Sequence, residues 1–276
     1  MTTHGLGFIG GGRVTRIILG GLEKAGRRPR GCVVSEPDQR VAAGLIRLFP
    51  DLIVSGADCA PPAAQDIVFG ALHPPVLRDM LPELGPRLRP DSIFVSLAPK
   101  LTLDQLVRGL GEFQRVVRMI PNAPSIVGHG FNPVSFRPAL THDERRELLH
   151  LLEALGECPV VEEGLLEAYA IITGMGPTYL WFQLRVLEEL GCSFGLTADQ
   201  ARVALSEMCG GASQVWFESH LSPAEALDMI PVHPLREDEP VIAGIYQNRL
   251  RSLYAKLRPS IASEAAFKNV IKEDIS

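Results

Sequence analysis

The sequence predicts an α/β protein: an N-terminal doubly wound parallel sheet over residues 1–161 and an all-α C-terminal dimerisation domain over 162–276. Three observations carry that expectation. Short β-type runs alternate with helical patterns through the first half, which calls for a parallel sheet with helices on both faces. A glycine-rich stretch joins the first strand run to the first helix, and strand signals vanish from about residue 163.

In chain order the strand runs are LGFI, CVVS, DIVFGAL, SIFVSLA and RVVRMI, with helical patterns over 13–25, 38–48, 75–84 and 103–110 between them. SIVGHGF and NPVSFRP are expected to add strands, and CPVVEE to close the sheet. Thr141-His-Asp-Glu144 opens a helix, with Thr as N-cap and Glu three residues on. GRRPRG at 26–31 reads as a turn. Later helices are expected over 163–173, 177–190, 198–219 and 223–229, with two more between 240 and 273. Thr197-Ala-Asp-Gln200 and Ser222-Pro-Ala-Glu225 both have capping-box spacing, the second with proline at the first helical position.

Composition narrows the functional classes. With 46% hydrophobic and 21% charged residues in 276, the chain has material for a sizeable core. A net charge of −5 gives no general attraction to nucleic acid or an anionic membrane. No apolar run approaches the roughly 20 residues that span a bilayer, and MTTHGLGFIG lacks the basic region and cleavage site of an export signal, so a cytoplasmic location is expected. Five cysteines without a CxxC pair argue against a disulfide framework or a metal site. The expected partners are a small molecule and a second copy of the chain. YLWFQLRVLEEL and ARVALSEMCGGASQVWF carry more apolar surface than a small helical lobe buries alone, which points to a homodimer.

Two stretches point to chemistry. GLGFIGGGRVTRIILGGL, read as Gly10-x-Gly12-x-x-Thr15, matches the dinucleotide fingerprint of a Rossmann fold in its first two positions, and Thr15 replaces the third small residue. At a first βα junction such a loop lets backbone N–H groups approach a pyrophosphate. The second strand ends in VVSEP, where a ribose-recognising group belongs. Glu36 suits a ribose 2′-OH, whereas Ser35, Arg40 and the arginines at 27, 28 and 30 suit a 2′-phosphate, so NADH and NADPH both stay open. The second stretch, ITGMGPTYLW, places two glycines and a proline between apolar segments. By itself it reads as a hinge between helices; with a ligand, the helix start at Pro177 would offer N–H groups to an anion and Thr178 a hydroxyl.

Several segments together resemble the pyrroline-5-carboxylate reductases, the NAD(P)H-dependent enzymes of the last step of proline synthesis. GFIGGGRVTRIILGGL is similar to that family's GFIGxGxMAxAIxxGL, HPPVL to KPxxL, SLAPKLTLDQL to SxxAGxxxxxL, and VRMIPNAPSIVGHG to VRxMPNxPxxVxxG. ITGMGPTYLW resembles LSGSGPAYxF, and TADQARVALSEMCGGA resembles LxxxxAxxLxxxxxxGA. The resemblance implies a Rossmann domain, a helical domain that dimerises by interleaving, and hydride transfer to a cyclic imine. It implies that Gly10, Gly12, Arg13 and Val14 hold the pyrophosphate, and that Ser35 and Glu36 flank the ribose. Ala71, Leu72 and His73 would line the cofactor cleft, Ala98 and Asn122 would lie near the nicotinamide, and Gly174, Met175, Gly176, Pro177 and Thr178 would face the substrate.

The resemblance has a gap. The family's SPGGTT loop is replaced by MIPVHPLREDEPVIAGIYQNRL, which lacks the glycine pair and both threonines. A replacement proton or hydrogen-bond donor is expected among Thr178, His233 and Arg236, with Thr178 and His233 the catalytic candidates; of these three side-chain types histidine is the one whose ordinary range lies near neutrality. Met175 stands where the family has Ser. Two other readings compete: a β-hydroxyacid dehydrogenase, which would want a lysine after the interdomain glycines where none occurs between Lys100 and Lys256, and a nucleotide-binding regulatory or structural protein that lost the chemistry.

Overall fold

A computed structural model describes residues 4–258. The β-branched and aromatic runs of the first half form the strands β1 (Leu6–Ile9), β2 (Val33–Ser35), β3 (Ile53–Val54), β4 (Ile67–Gly70), β5 (Ile93–Ser96) and β6 (Val116–Met119). Between them lie helices α1 (Arg13–Lys24), α2 (Gln39–Leu48), α3 (Ala60–Ala63), α4 (Pro74–Leu84) and α5 (Leu103–Gly109). After β6 come β7 (Gly130–Phe131), β8 (Val134–Phe136), α6 (His142–Leu152), β9 (Gly156–Glu157) and α7 (Leu166–Tyr169). The remaining helices are α8 (Pro177–Ser193), α9 (Ala198–Glu218), α10 (Pro223–Asp228) and α11 (Glu239–Leu257). The fold is the expected one, a Rossmann-like parallel sheet followed by helices.

The main sheet has seven strands in the order β3-β2-β1-β4-β5-β6-β8, parallel except for β8, which pairs antiparallel with β6 through Val117 and Phe136. Period-2 alternation sorts its side chains onto two cores. Phe8, Phe69 and Val95 point to one face with Leu19 and Leu22 of α1 and Leu148 and Leu152 of α6. Ile9, Val68 and Phe94 point to the other, with Leu77 and Leu81 of α4 and Leu106 of α5. Phe8 and Phe69 stack with ring centroids 4.8 Å apart, and each such buried side chain contributes about 1.5–3 kcal/mol.

Two expectations need correction, and a third is met in part. SIVGHGF is not one strand: a 3₁₀ turn with Pro124 as its second residue runs over Ala123–Val127, and only Gly130–Phe131 is extended. CPVVEE does not close the sheet, because Pro159 has no N–H to continue a ladder; Val160 makes one isolated bridge to Val134, while β9 pairs with β7 in a separate two-stranded sheet. Between 240 and 258 there is one helix, α11, and the rest of the segment expected to hold a second lies outside the described residues.

The expected helix 163–173 is a composite: a 3₁₀ turn at Glu163–Leu165, then α7, then a π-turn at Ala170–Gly174 closed by the Met175 N–H donating to the Ala170 carbonyl at 3.0 Å. By density of contacts the chain divides into two compact units, one running to Met175 and including the stretch from Leu253, the other being Gly176–Ser252. In the second unit α8 buries no residue and α9 buries only Ala201. The start of α8 is braced by Tyr246, whose hydroxyl donates to the Tyr179 carbonyl at 3.1 Å and whose ring meets that of Tyr179 edge-on at 5.9 Å. No helix among the described residues is long and apolar enough to cross a membrane.

Candidate active site

Strand order reverses between β1 and β4, and in open α/β sheets the crevice beyond the carboxyl ends at such a reversal is where ligands bind. The glycine loop stands there. Gly10 has φ +100°, and a Cβ on it would fall 2.8 Å from the Ala71 carbonyl oxygen and 2.8 Å from Leu72 Cδ2. Its N–H donates to the Ser35 carbonyl at 3.0 Å, so Gly10, Ser35, Ala71 and Leu72 come together at one point. Thr15, expected only to be small, does more: its buried hydroxyl donates to the Gly10 carbonyl at 2.6 Å and latches the loop.

Gly12 is the N-cap of α1 and brings no side-chain cap, whereas Asp38, Thr102, Thr141, Thr197 and Ser222 cap α2, α5, α6, α9 and α10. The first-turn N–H groups of a helix have no partner inside it. A Cβ on Gly12 would meet nothing within 4 Å, so the start of α1, with Arg13 exposed and Val14 half-buried, has open space before it. Uncapped amides at a positive helix terminus beside open space fit an anionic pyrophosphate.

Glu36, just past β2, turns back onto the loop. Its Oε2 accepts from the Gly11 N–H at 2.9 Å and its Oε1 from the Asp38 N–H at 2.8 Å. Gly11 was not among the expected site residues, yet a Cβ there would lie 2.9 Å from Glu36 Cβ. The arginines at 27, 28 and 30 do not serve this end of the sheet. They precede β2, at the opposite edge; Arg28 pairs with Glu23 and Asp51, both at 2.6 Å, and Arg27 donates to the His150 carbonyl at 2.7 Å. Arg40 remains, exposed in the first turn of α2.

His73 occupies the N-cap of α4 without a capping bond and is exposed. Ala98 is buried in the core beneath the loop after β5. Asn122, at the carboxyl end of β6, is a buried hub: its Oδ1 accepts from the Phe131 N–H at 3.1 Å and its Nδ2 donates to the Thr173 carbonyl at 3.3 Å. It thereby ties the end of the sheet to the π-turn that leads into Gly174. In the other unit, His233 Nε2 sits 2.6 Å from the Ile230 carbonyl, so that nitrogen carries the proton and only Nδ1 is left for another partner.

Sequence reasoning missed one cluster entirely. Arg118 of β6 is 1% exposed and pairs with Glu167 at 2.5 Å and Glu163 at 2.9 Å. Glu167 also accepts the Lys100 N–H at 3.2 Å, and Glu163 the Leu103 N–H at 2.6 Å, so the pair of carboxylates shapes the loop after β5. Lys100 holds φ +73° in that loop. The available signal was Glu163 and Glu167 four apart, one helical turn, facing a lone arginine in an apolar strand.

Residues 5–100 match the family model described as NADP oxidoreductase coenzyme F420-dependent. A pyrroline-5-carboxylate reductase of Escherichia coli K12 is 29% identical over 230 residues, covering 82% of this chain and 84% of that one. Among solved structures, a pyrroline carboxylate reductase from Plasmodium falciparum with NADP bound superposes with TM-score 0.81 at 18% identity over 94% and 98% of the two chains. A pyrroline-5-carboxylate reductase from Coxiella burnetii gives TM-score 0.67 at 25% identity over 99% and 98%.

Proposed function

We propose that this chain, a member of the pyrroline-5-carboxylate reductase family, is a nicotinamide-dependent oxidoreductase that reduces 1-pyrroline-5-carboxylate or a related cyclic imino acid. The observation that carries the reading is the uncapped start of α1 behind the Gly10 turn, at the strand-order reversal of a parallel sheet. NADH or NADPH, when bound, supplies the hydride. On this reading the amides at Gly12, Arg13 and Val14 hold the pyrophosphate, Ser35, Glu36 and Arg40 surround the adenosine ribose, and Ala71, Leu72 and His73 line the crevice. Ala98 and Asn122 support its nicotinamide end through backbone and buried hydrogen bonds rather than through open side chains.

Hydride addition to a C=N carbon needs the imine protonated and its carboxylate held, so the protein's task is orientation, proton placement and exclusion of water. We assign the carboxylate to Gly174, Met175, Gly176, Pro177 and Thr178, with Thr178 as hydrogen-bond donor and His233 as the alternative. On the same reading Met175, standing where the resembling family's pattern has Ser, favours a larger or less polar imine.

The test is oxidation of NADH and NADPH with pyrroline-5-carboxylate and a panel of cyclic imines, with product identified by mass. Thr178→Val is expected to lower kcat/KM by about 10²–10³, the scale of one lost donor at a reacting group. A loss of that size in His233→Gln, with Thr178→Val close to the parent, would move the donor's role to His233. Tight nucleotide binding with no turnover on any imine supports instead the regulatory reading, whose one specific observation is the replaced SPGGTT segment.

The helical unit is proposed to dimerise. Leu180, Phe182, Phe194, Val203 and Phe217 are all more than half exposed, along α8, α9 and their junction. A patch of that kind marks an interaction surface, and a second copy with the same face satisfies it by two-fold symmetry.

A further inference from the structure

We infer that Glu36 makes this chain selective for NADH over NADPH, an inference that rests on the nucleotide-binding reading of the glycine loop. Glu36 follows β2 at the carboxyl edge of the sheet, and Ser35 is in register with Ile9, whose successor Gly10 turns the loop. The carboxylate is fixed there by two backbone donors, the N–H of Gly11 at 2.9 Å and that of Asp38 at 2.8 Å. An ionised carboxylate has about four acceptor positions, so two remain to accept from ribose hydroxyls.

The same place is closed to a 2′-phosphate. Such a group carries close to two negative charges at neutral pH and would stand beside Glu36. The natural anion site at the start of α2 is already filled, because Asp38 Oδ1 accepts the N–H groups of Arg40 at 2.8 Å and Val41 at 3.3 Å. The Asp38 N–H is in turn held by Glu36. Two carboxylates thus take the backbone donors that a phosphate would need, and like charges at close range disfavour one partner strongly. Of the arginines near β2 in sequence, 27 and 28 are engaged at the other edge. Arg40, exposed in the first turn of α2, is the cation that stands against the inference.

The test is direct titration of the full chain with NADH and with NADPH, read by nicotinamide fluorescence, alongside kcat/KM for each with pyrroline-5-carboxylate. The expected result is NADH bound at least ten-fold more tightly. Glu36→Gln, which keeps an acceptor and removes the charge, is expected to narrow that ratio at least five-fold, mainly by tightening NADPH; Arg40→Ala reads whether the preference follows that cation instead. NADPH bound as tightly as NADH by the parent overturns the inference whether or not any variant folds. So does an unchanged ratio in a folded Glu36→Gln, or a preference that follows Arg40. A preference for NADH in binding with no turnover on the imine supports the inference while overturning the reductase reading. Binding of neither nucleotide overturns both.

Discussion

Arg118 shows what a single residue decides. In sequence it is an ordinary arginine in VVRMI; in the fold it is 1% exposed, and a charge so placed is tolerable only because Glu167, itself buried, and Glu163 meet it. Removing one partner leaves an uncompensated buried charge. Glu167→Ala is expected to lower the unfolding free energy by about 3–5 kcal/mol, measured by urea denaturation, whereas the double change Arg118→Met with Glu167→Leu recovers most of it. A single-variant loss below about 1 kcal/mol would show that the pair is not the strut described here. The residues of the glycine loop were easier to read. Gly10 announces itself because only glycine serves a φ of +100° against the Ala71 carbonyl, and Gly12 by its place in the fingerprint, whereas Gly11 and Asp38 gain their roles from Glu36, whose rotamer no local pattern encodes.

At the scale of elements, caps were the most legible feature. Thr141, Thr197 and Ser222 all form the capping boxes that their spacing predicts, since the interaction is closed within four residues. What surrounds a cap was not legible. Glu144 of α6 also receives Arg115 Nη2 at 2.6 Å from across the fold, and that bond first, then the Thr141 N–H, lowers its pKa from 4.5 to about 2. A carboxylate with a depressed folded pKa stabilises above its unfolded pKa and loses that contribution as pH falls through the folded one. Stability is therefore expected to decline between about pH 4.5 and pH 2 through this group. Glu144→Gln, which can keep the box without the charge, should flatten that part of the urea-midpoint profile; an identical profile would remove Glu144 from the account. Elements held by long-range partners, such as the paired β7 and β9 or the two-residue β3, lacked the periodicity that a longer strand provides.

For the whole molecule, the order of βα units was readable because each unit is about 25–30 residues of local pattern, and right-handed crossovers leave little choice of topology. The breaking of the 163–173 helix into 3₁₀, α and π turns was not, since i→i+3, i→i+4 and i→i+5 bonds share almost the same sequence preferences. The helical unit makes the largest-scale prediction. With almost nothing buried in α8 and α9, its faces need cover. Sedimentation is expected to give twice the chain mass at micromolar concentration, with a thermal midpoint that rises on concentrating the protein and a Val203→Glu variant shifted toward monomer. A monomer with a concentration-independent midpoint would refute the dimer.

Lys100 carries one more consequence. The pattern SxxAG of the resembling family sets glycine at this position, and the backbone here keeps the left-handed conformation with a lysine in its place. A side chain there bears roughly 1–2 kcal/mol of steric opposition. The hydrogen bond from its N–H to Glu167 and the neighbouring one from Leu103 to Glu163 must outweigh that opposition, so the two carboxylates act as a mould into which the loop is pressed. The shape of the crevice rim is thus written in the glutamates behind it, and its residue identities can drift without the outline following them.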